Sequence, residues 1–141
     1  MNQKVREIMN PSPVVTNPKK DLKEISQEML DSGLQQLPVV EEGNLVGILT
    51  TYDMWKQYAH RTTVQGLIVG DVMNKSLVKI GPEDKIGTAA ELFADGRFKT
   101  IPVVTEAGEF KGTITAFDII RRVYNSEYNN AILFKDKFSE K

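Results

Sequence analysis

The sequence contains no cysteine and a single histidine, His60. Without cysteine the chain can form no disulfide, no thiolate metal site and no cysteine nucleophile. One histidine cannot build a multi-histidine metal site, and a catalytic serine would lack its usual base. Because His60 lies in a polar stretch, we expect it to face solvent. These absences argue against an enzyme and against a bound metal.

Strong charge and long apolar runs are also missing. The formal net charge is −1, so the chain has no long-range field to attract nucleic acid or anionic lipid. No apolar run approaches the roughly 20 residues of a membrane span, and residues 1–7 lack the apolar core of a signal peptide. We therefore expect a cytoplasmic protein with neither a nucleic-acid nor a membrane partner.

The most informative feature that is present is an internal repeat. Three blocks of the first half return in the same order, two at an offset of 64 residues and the last at 65: residues 5–9 as 69–73, 37–40 as 101–104, and 47–53 as 112–118. The extra residue falls in a polar turn, where insertions are well tolerated. Two like units can bury their apolar faces against each other about a pseudo-two-fold axis.

Each copy predicts the element order β-α-β-β-α, so the fold class is α/β, of the α+β kind. A helical period of apolar residues runs through residues 22–30 and 86–94. Each helix is followed by two short apolar runs around a glycine turn, at Gly43-Asn44 and Ala107-Gly108. An extended piece precedes each helix, at 13–16 and 76–80. A second helix closes each unit, from Tyr52 to about Tyr58 and from Phe117 to Tyr124.

The repeat also sets the expected boundaries. Residues 1–58 form the first repeat, 59–68 a connector, 69–125 the second repeat and 126–141 a C-terminal tail without a counterpart. The tail carries four apolar residues among charges: Ile132, Leu133, Phe134 and Phe138. It could form an added helix that packs on the domain or on a second chain, or it could be partly disordered.

A repeated Thr-x-x-Asp is the sharpest polar feature, and it stands where a strand is predicted to end and a helix to begin. One interpretation is a capping box, in which the threonine hydroxyl accepts a backbone amide and the carboxylate favours the positive end of the helix dipole. The other is a ligand site, in which the carboxylate takes two hydrogen bonds from a ribose diol and the threonine and free amides face a phosphate. The two can hold together.

At this point the sequence resembles a known family. The Leu/Ile-Pro-Val-Val strand, the Gly-x-x-Thr-x-x-Asp junction and the Val-x-x-Val/Ile-Met lead-in are similar to the paired cystathionine-β-synthase (CBS) domains of a Bateman module. The resemblance covers residues 5–123. It implies two packed repeats with two related clefts, which in many members bind AMP, ADP, ATP or S-adenosylmethionine. Such modules are usually regulatory and not catalytic.

The resemblance also implies which residues line the clefts. In the first cleft, Thr50 and Asp53 would face Lys99 and Thr100, with Val78 and Ile80 beside the base. In the second, Thr115 and Asp118 would face Gln35 and Gln36, with Val14, Val15 and Thr16 at the base. Lys99 and Arg97 favour phosphate in the first cleft. The two neutral glutamines depart from the family pattern, although Arg121 and Arg122 could compensate.

The sequence thus predicts a regulatory module that binds an adenosine-type ligand and signals to a protein partner, without a required cofactor or metal. We expect a homodimer, because apolar residues on the closing helices are available for a two-fold interface: Trp55, Tyr58, Ile119, Ile120 and Val123. Trp55 is interpreted as a core or interface aromatic. The alternative is a dimerisation or docking module whose clefts are empty and whose Thr-x-x-Asp only caps helices. An enzyme acting on a nucleotide is disfavoured, because no base, nucleophile and metal ligands cluster in the sequence.

Overall fold

The computed structural model describes residues 2–61, 63–96 and 98–139, with side chains described as far as Glu127. The two halves of the chain fold alike, as the repeat predicts. The first half contains a 3-10 turn, Val5–Glu7, followed by α1 (Leu22–Ser32), β1 (Gln36–Glu41), β2 (Asn44–Thr50) and α2 (Thr51–His60). The second contains α3 (Val69–Val72), α4 (Ile86–Ala94), β3 (Thr100–Val104), β4 (Phe110–Thr115) and α5 (Ala116–Ser139). The predicted α+β class is confirmed.

Each half has a two-stranded antiparallel sheet, β1 with β2 and β3 with β4. The extended pieces at 13–16 and 76–80, predicted as strands, add only one parallel bridge each, Thr16 to Val39 and Ile80 to Val103. The proline of Leu/Ile-Pro-Val-Val explains this. Pro38 O accepts Thr16 N at 3.0 Å, but Pro38 has no N–H to donate along the same edge. Pro102 and Ile80 repeat the arrangement.

The two hydrophobic cores each take in a segment from the other half of the chain. We call residues 3–10 the first lead-in segment and residues 67–74 the second. Val5, fully buried, belongs to the core built by α4, β3 and β4, with Ile8 and Met9 packed beside it. Val69, also fully buried, belongs to the core built by α1, β1 and β2, with Val72 and Met73 beside it. The lead-in segments are therefore exchanged between the repeats.

Backbone hydrogen bonds fix this exchange in both directions. In the first lead-in segment, Val5 N donates to Asp84 O at 2.8 Å and Ile86 N donates to Gln3 O at 2.8 Å. The second lead-in segment mirrors them, since Val69 N donates to Lys20 O and Leu22 N to Leu67 O, both at 2.9 Å. Each segment ends on the edge of a strand of the other half. Asn10 pairs there with Thr113 of β4, and Asn74 with Ile48 of β2.

The glycine that opens Gly-x-x-Thr-x-x-Asp makes room for these crossings. A Cβ on Gly47 would lie 2.6 Å from Met73 Sδ of the second lead-in segment. A Cβ on Gly112 would overlap the carbonyl oxygen of Asn10 and lie 3.1 Å from its carbonyl carbon. Gly112 also has a φ of 156°. The repeated glycine is thus a requirement of the exchange and not of a phosphate-binding loop.

Two further sets of contacts join the halves. The hairpin turns meet through Phe110 N, which donates to Gly43 O at 2.8 Å, and Leu45 N, which donates to Gly108 O at 3.2 Å. At the first lead-in segment, Glu83 Oε2 accepts a hydrogen bond from Lys4 Nζ at 2.6 Å. This bond lowers the pKa of the Glu83 carboxyl below its ordinary value. Because the pair is exposed, it orients the segment more than it stabilises the fold.

The last helix is longer than predicted. We predicted a closing helix that ends at Tyr124 and a separate tail, but α5 runs without interruption from Ala116 to Ser139. No glycine or proline follows Gly112 in the sequence, so nothing breaks the helix. The apolar residues noted in the tail, Ile132, Leu133, Phe134 and Phe138, have side chains outside the described residues. Within the described residues, none of the helices combines the length and the hydropathy that a membrane crossing requires.

The exchange predicts which repeat is destabilised when a buried valine of a lead-in segment is truncated. Val5→Ala should destabilise the chain by about 2 kcal/mol, because it removes two buried carbons and leaves a cavity. Hydrogen exchange should quicken first in α4, β3 and β4, the second repeat, rather than in β1 and β2. Val69→Ala, at the equivalent position, is the matched variant and should give the reverse pattern. Faster exchange confined to each variant's own repeat would contradict the exchange.

The crossing at Gly112 predicts a stability loss larger than backbone strain alone. Gly112→Ala should cost about 1–3 kcal/mol more than Gly33→Ala, because overpacking adds to the loss of glycine's freedom. Gly33 is the control because its φ is 66° but no atom lies within 4 Å of an added Cβ. Thermal unfolding should separate the variants by about 3 °C for each kcal/mol. Equal melting temperatures would show that the Asn10 crossing can relax.

Candidate functional site

A cleft of about 640 Å³ lies where the two repeats meet. Four pieces of chain form it: the loop from α1 into β1, the junction of β2 with α2, the extended segment after the second lead-in, and the approach to β3. Its lining residues are Gly33, Leu34, Gln35, Gln36, Ile48, Thr50, Thr51, Tyr52, Asn74, Ser76, Leu77, Val78, Phe98, Lys99 and Thr100. The cleft is therefore built by both repeats and not by one.

The two strand starts that line the cleft are equivalent in the repeat and lie side by side. Gln36 begins β1 and Thr100 begins β3, and Gln36 Nε2 donates to Thr100 O at 3.2 Å. Beside them, Thr51 N at the start of α2 donates to Gln35 O at 3.0 Å. Equivalent positions of the two repeats are therefore in contact at the cleft. Gln35 and Gln36, predicted for the second cleft, lie on the same wall as Lys99 and Thr100, because the two strand starts bond to each other.

The Thr-x-x-Asp side chains form a capping box at the start of α2. Asp53 N donates to Thr50 Oγ1 at 3.1 Å. In return the Asp53 carboxylate oxygen Oδ2 accepts Thr50 Oγ1 at 2.7 Å and Thr50 N at 3.2 Å. No side chain in the described part of the chain donates to Asp53 Oδ1. The capping interpretation therefore holds, and it leaves one carboxylate oxygen of Asp53 for another partner.

The second copy of the motif repeats the two backbone-amide bonds at the start of α5, without the hydroxyl-to-carboxylate bond of the first copy. Asp118 N donates to Thr115 Oγ1 at 3.1 Å, and Thr115 N donates to Asp118 Oδ2 at 2.8 Å. Here the remaining oxygen, Oδ1, lies 3.8 Å from a guanidinium nitrogen of Arg121. Neither residue of this copy lines the described cleft, so the two Thr-x-x-Asp sites are placed differently relative to it.

Of the residues predicted for the first cleft, Thr50, Val78, Lys99 and Thr100 all line it. Asp53 stands one step behind, bonded to Thr50. Ile80 does not reach the cleft, because it pairs with Val103 and its side chain, only 4% exposed, fills the second core. Arg97 lies outside the described residues.

The three consecutive residues predicted for the base of the second cleft, Val14, Val15 and Thr16, differ in burial. Thr16 is buried and pairs with Val39 of β1, so its side chain is not open to a ligand. Val14 and Val15 are exposed and do not line the described cleft. The extended segment that carries them bonds to β1 only at Thr16, so the residues before it are free to face outwards.

Sequence reasoning missed several lining residues. Phe98 and Leu34 occupy equivalent positions of the two repeats, just before the strand starts, and the repeat offset alone could have paired them. Tyr52 lies inside the Thr-x-x-Asp motif, for which the sequence analysis assigned a role only to Thr50 and Asp53. Ser76 and Leu77 follow the second lead-in segment, and only the exchange brings that stretch to the cleft.

The cleft combines apolar side chains with polar side chains that are almost all neutral. Among the described residues that line it, Lys99 carries the only charged side chain. Leu77, Val78 and Ile48 give an apolar wall, and Thr50 and Thr100 give hydroxyl groups near the capped end of α2. A site of this size that combines an apolar wall with hydrogen-bonding groups suits a small organic molecule. One cation would balance a limited negative charge.

Comparison with known proteins identifies the architecture. The fold and the cleft define a pair of α+β repeats that share a site between them. The CBS domain family model matches residues 5–54 and 69–125. The chain belongs to the CBS domain family, and the resemblance drawn from its motifs is confirmed.

Individual relatives agree with this assignment. The CBS domain-containing protein YhcV of Bacillus subtilis is 30% identical over 106 residues, which cover 72% of this chain and 73% of that protein. The chain spans only 22–47% of the length of several other curated relatives that it matches.

Solved structures share the fold. CBSX2, a CBS-pair protein from Arabidopsis thaliana, was crystallised in complex with AMP; it superposes with a TM-score of 0.76 at 24% identity, over 88% of this chain and 98% of that one. The CBS domain pair of protein MJ0100, in complex with 5′-methylthioadenosine and S-adenosyl-L-methionine, gives a TM-score of 0.69 at 22% identity over 88% and 98%.

The capping boxes predict a stability role that does not depend on any ligand. Asp53→Ala and Asp118→Ala should each destabilise the chain by about 1 kcal/mol, because each removes the carboxylate that accepts the backbone amide of the capping threonine. Their melting temperatures, measured without ligand, should fall by about 3 °C. Glu106→Ala removes an exposed turn carboxylate and should leave stability unchanged. Melting temperatures for the two aspartate variants equal to this control would contradict the capping role.

Proposed function

We propose that this chain is a non-catalytic regulatory module that binds an adenosine-type ligand in the cleft between its repeats and signals to a protein partner. The observation that carries the proposal is the cleft itself. It is about 640 Å³, is shared by both repeats, and combines an apolar wall with hydroxyl groups and one cation. Two proteins of the same fold were crystallised with adenosine-containing ligands, AMP in one and S-adenosyl-L-methionine in the other.

Each group in the cleft has a role toward such a ligand. The adenine would lie against Val78 and the neighbouring apolar side chains. The ribose hydroxyls would donate to Asp53 Oδ1, the carboxylate oxygen that the capping box does not use. Lys99 is exposed, and within the described part of the chain no carboxylate pairs with it, so its ammonium is available for a phosphate. A charge-assisted bond of this kind is among the stronger polar contacts.

The output of the module would pass through the closing helices. The exposed apolar side chains of α2 and α5 include Trp55, Tyr58, Ile120 and Val123. Trp55 is 62% exposed, so within this chain it is not a core residue, and the interface interpretation remains. Ile119 is only 8% exposed and belongs to the second core, so it is withdrawn from the predicted interface set. A homodimer through these faces, and an effector protein beyond it, belong to the proposal.

The proposed ligand binding can be tested by measuring thermal unfolding in the presence of adenosine, AMP, ADP, ATP or S-adenosylmethionine. A ligand at a hundred times its dissociation constant should stabilise the folded state by about 2.7 kcal/mol. For a domain of this size that shift raises the melting temperature by about 8 °C. Each variant is compared with its own ligand-free melting temperature, so that loss of a cap is not mistaken for loss of binding.

Lys99→Gln is the sharpest variant, because glutamine is the residue at the equivalent position of the first repeat, Gln35. It should weaken AMP binding by about tenfold to a hundredfold, since a charge-assisted hydrogen bond contributes roughly 1.5–3 kcal/mol. Binding of uncharged adenosine should be unchanged. Lys111→Gln makes the same charge change on β4, away from the cleft, and serves as the matched control.

The remaining variants separate the clefts. Loss of ligand stabilisation in Asp53→Ala and its retention in Asp118→Ala would support binding at the described cleft. The reverse result would move the site to the second copy of the motif. Flat curves for all five ligands would favour the alternative, a dimerisation or docking module with empty clefts. Turnover of a nucleotide by the purified chain would overturn the non-catalytic assignment.

A further inference from the structure

Two aromatic side chains near the start of α2, Tyr52 and Trp55, lie between the cleft and a second cavity. Tyr52 lines the inter-repeat cleft. Its ring stacks on Trp55, with centroids 6.1 Å apart and an interplanar angle of 25°. Residues three apart on a helix are neighbours on its surface, so the pair is local to α2. Lys56 Nζ also lies 5.0 Å from the centre of the Tyr52 ring.

On the far side of this pair is a groove of about 420 Å³ between α1 and α2, which we call the α1–α2 groove. Its lining residues are Lys23, Ser26, Gln27, Met29, Leu30, Thr51, Met54, Trp55 and Tyr58. Thr51 lines both the groove and the cleft. The backbone at the start of α2 and the aromatic pair therefore separate the two cavities.

The aromatic pair is the exposed part of this boundary. Tyr52 and Trp55 are 63% and 62% exposed. The helix beneath them is held by the capping box of Thr50 and Asp53 and by the buried Met54. Exposed side chains change rotamer far faster than helices shift. A ligand that touches the Tyr52 ring would therefore move the aromatic pair before it moves the helix.

This arrangement is present in one repeat only. The positions equivalent to Tyr52 and Trp55 on α5 are Phe117 and Ile120, so no aromatic stack is possible there. The two clefts of the module would then differ not only in charge but also in their connection to the closing helix.

We propose that Tyr52 couples occupancy of the inter-repeat cleft to the position of Trp55, so that a bound ligand changes the shape of the α1–α2 groove. The inference rests on the proposed function, because it requires a ligand in the cleft. The ligand must contact Tyr52 differently in the two positions of Trp55, since only differential affinity can shift such an equilibrium. By linkage, a change at Trp55 must alter ligand affinity by the same factor.

The coupling is tested by fluorescence and calorimetry together. Trp55 is the only tryptophan in the sequence, so its emission reports this position alone. Calorimetry first establishes binding of AMP and S-adenosylmethionine to the full chain. At saturation, the emission maximum and the accessibility of Trp55 to a quencher should both change. Tyr52→Phe retains a stacking ring and should keep that response, and so should Phe117→Leu, the matched change on α5.

The reciprocal arm measures affinity. Trp55→Leu lies outside the cleft lining but should change the dissociation constant by about fivefold or more, the low end of typical coupling between sites. Tyr58→Leu removes an aromatic of the same groove and of the same proposed interface, so it controls for effects on dimerisation, and it should change the dissociation constant less than about twofold. Equal effects of the two variants would overturn the coupling.

The outcomes distinguish this inference from the proposed function. Heat of binding with an unchanged Trp55 spectrum would refute the coupling and leave the ligand site standing. Absence of binding for both ligands would refute the ligand site for them and the coupling with it. A full Trp55 response in Tyr52→Leu, at saturation, would show that the signal reaches Trp55 by another route.

Discussion

The exchange of lead-in segments is the constraint on which the rest of the structure depends. Each core is completed by a valine from the opposite half, Val5 or Val69, and neither valine has any exposed surface. Burial of an aliphatic side chain contributes roughly 1.5–3 kcal/mol, and a lead-in segment brings several such groups. The exchange also places the cleft. After the second lead-in segment bonds to Ile48 through Asn74, the chain continues along the cleft as Ser76, Leu77 and Val78.

Much of the fold could be predicted because it depends on local patterns. The hairpins follow from short apolar runs around a glycine turn, and α1 and α4 follow from apolar residues at helical spacing. The Thr-x-x-Asp caps are local as well, since both partners lie within one turn of helix. The fold class follows from the order of these elements. Because the repeat presents each element twice, the pattern in one copy supports the prediction made from the other.

The features that could not be predicted are those set by contacts between distant residues. Nothing in the spacing of Val5 and Val69 says that each belongs to the other repeat's core. Ile80 and Val78 looked alike as alternating residues of one strand, but the single bridge at Ile80 directs it inward. By type, Trp55 fitted either a core or an interface, and only the packing of α2 shows that it is exposed. The length of α5 could not be predicted from the repeat, because the residues after Tyr124 have no counterpart in the first repeat.

The exchange also orders events during synthesis of the chain. The strands and helices of the first repeat are complete once His60 has been made, but their core still lacks residues from Val64 to Met73. The first lead-in segment, made before them all, has no core to join until Ile80 to Ile119 have followed. Contacts between such distant residues slow folding, because a long loop must close before they form. A nascent first repeat therefore exposes apolar surface on the ribosome until the second repeat has begun.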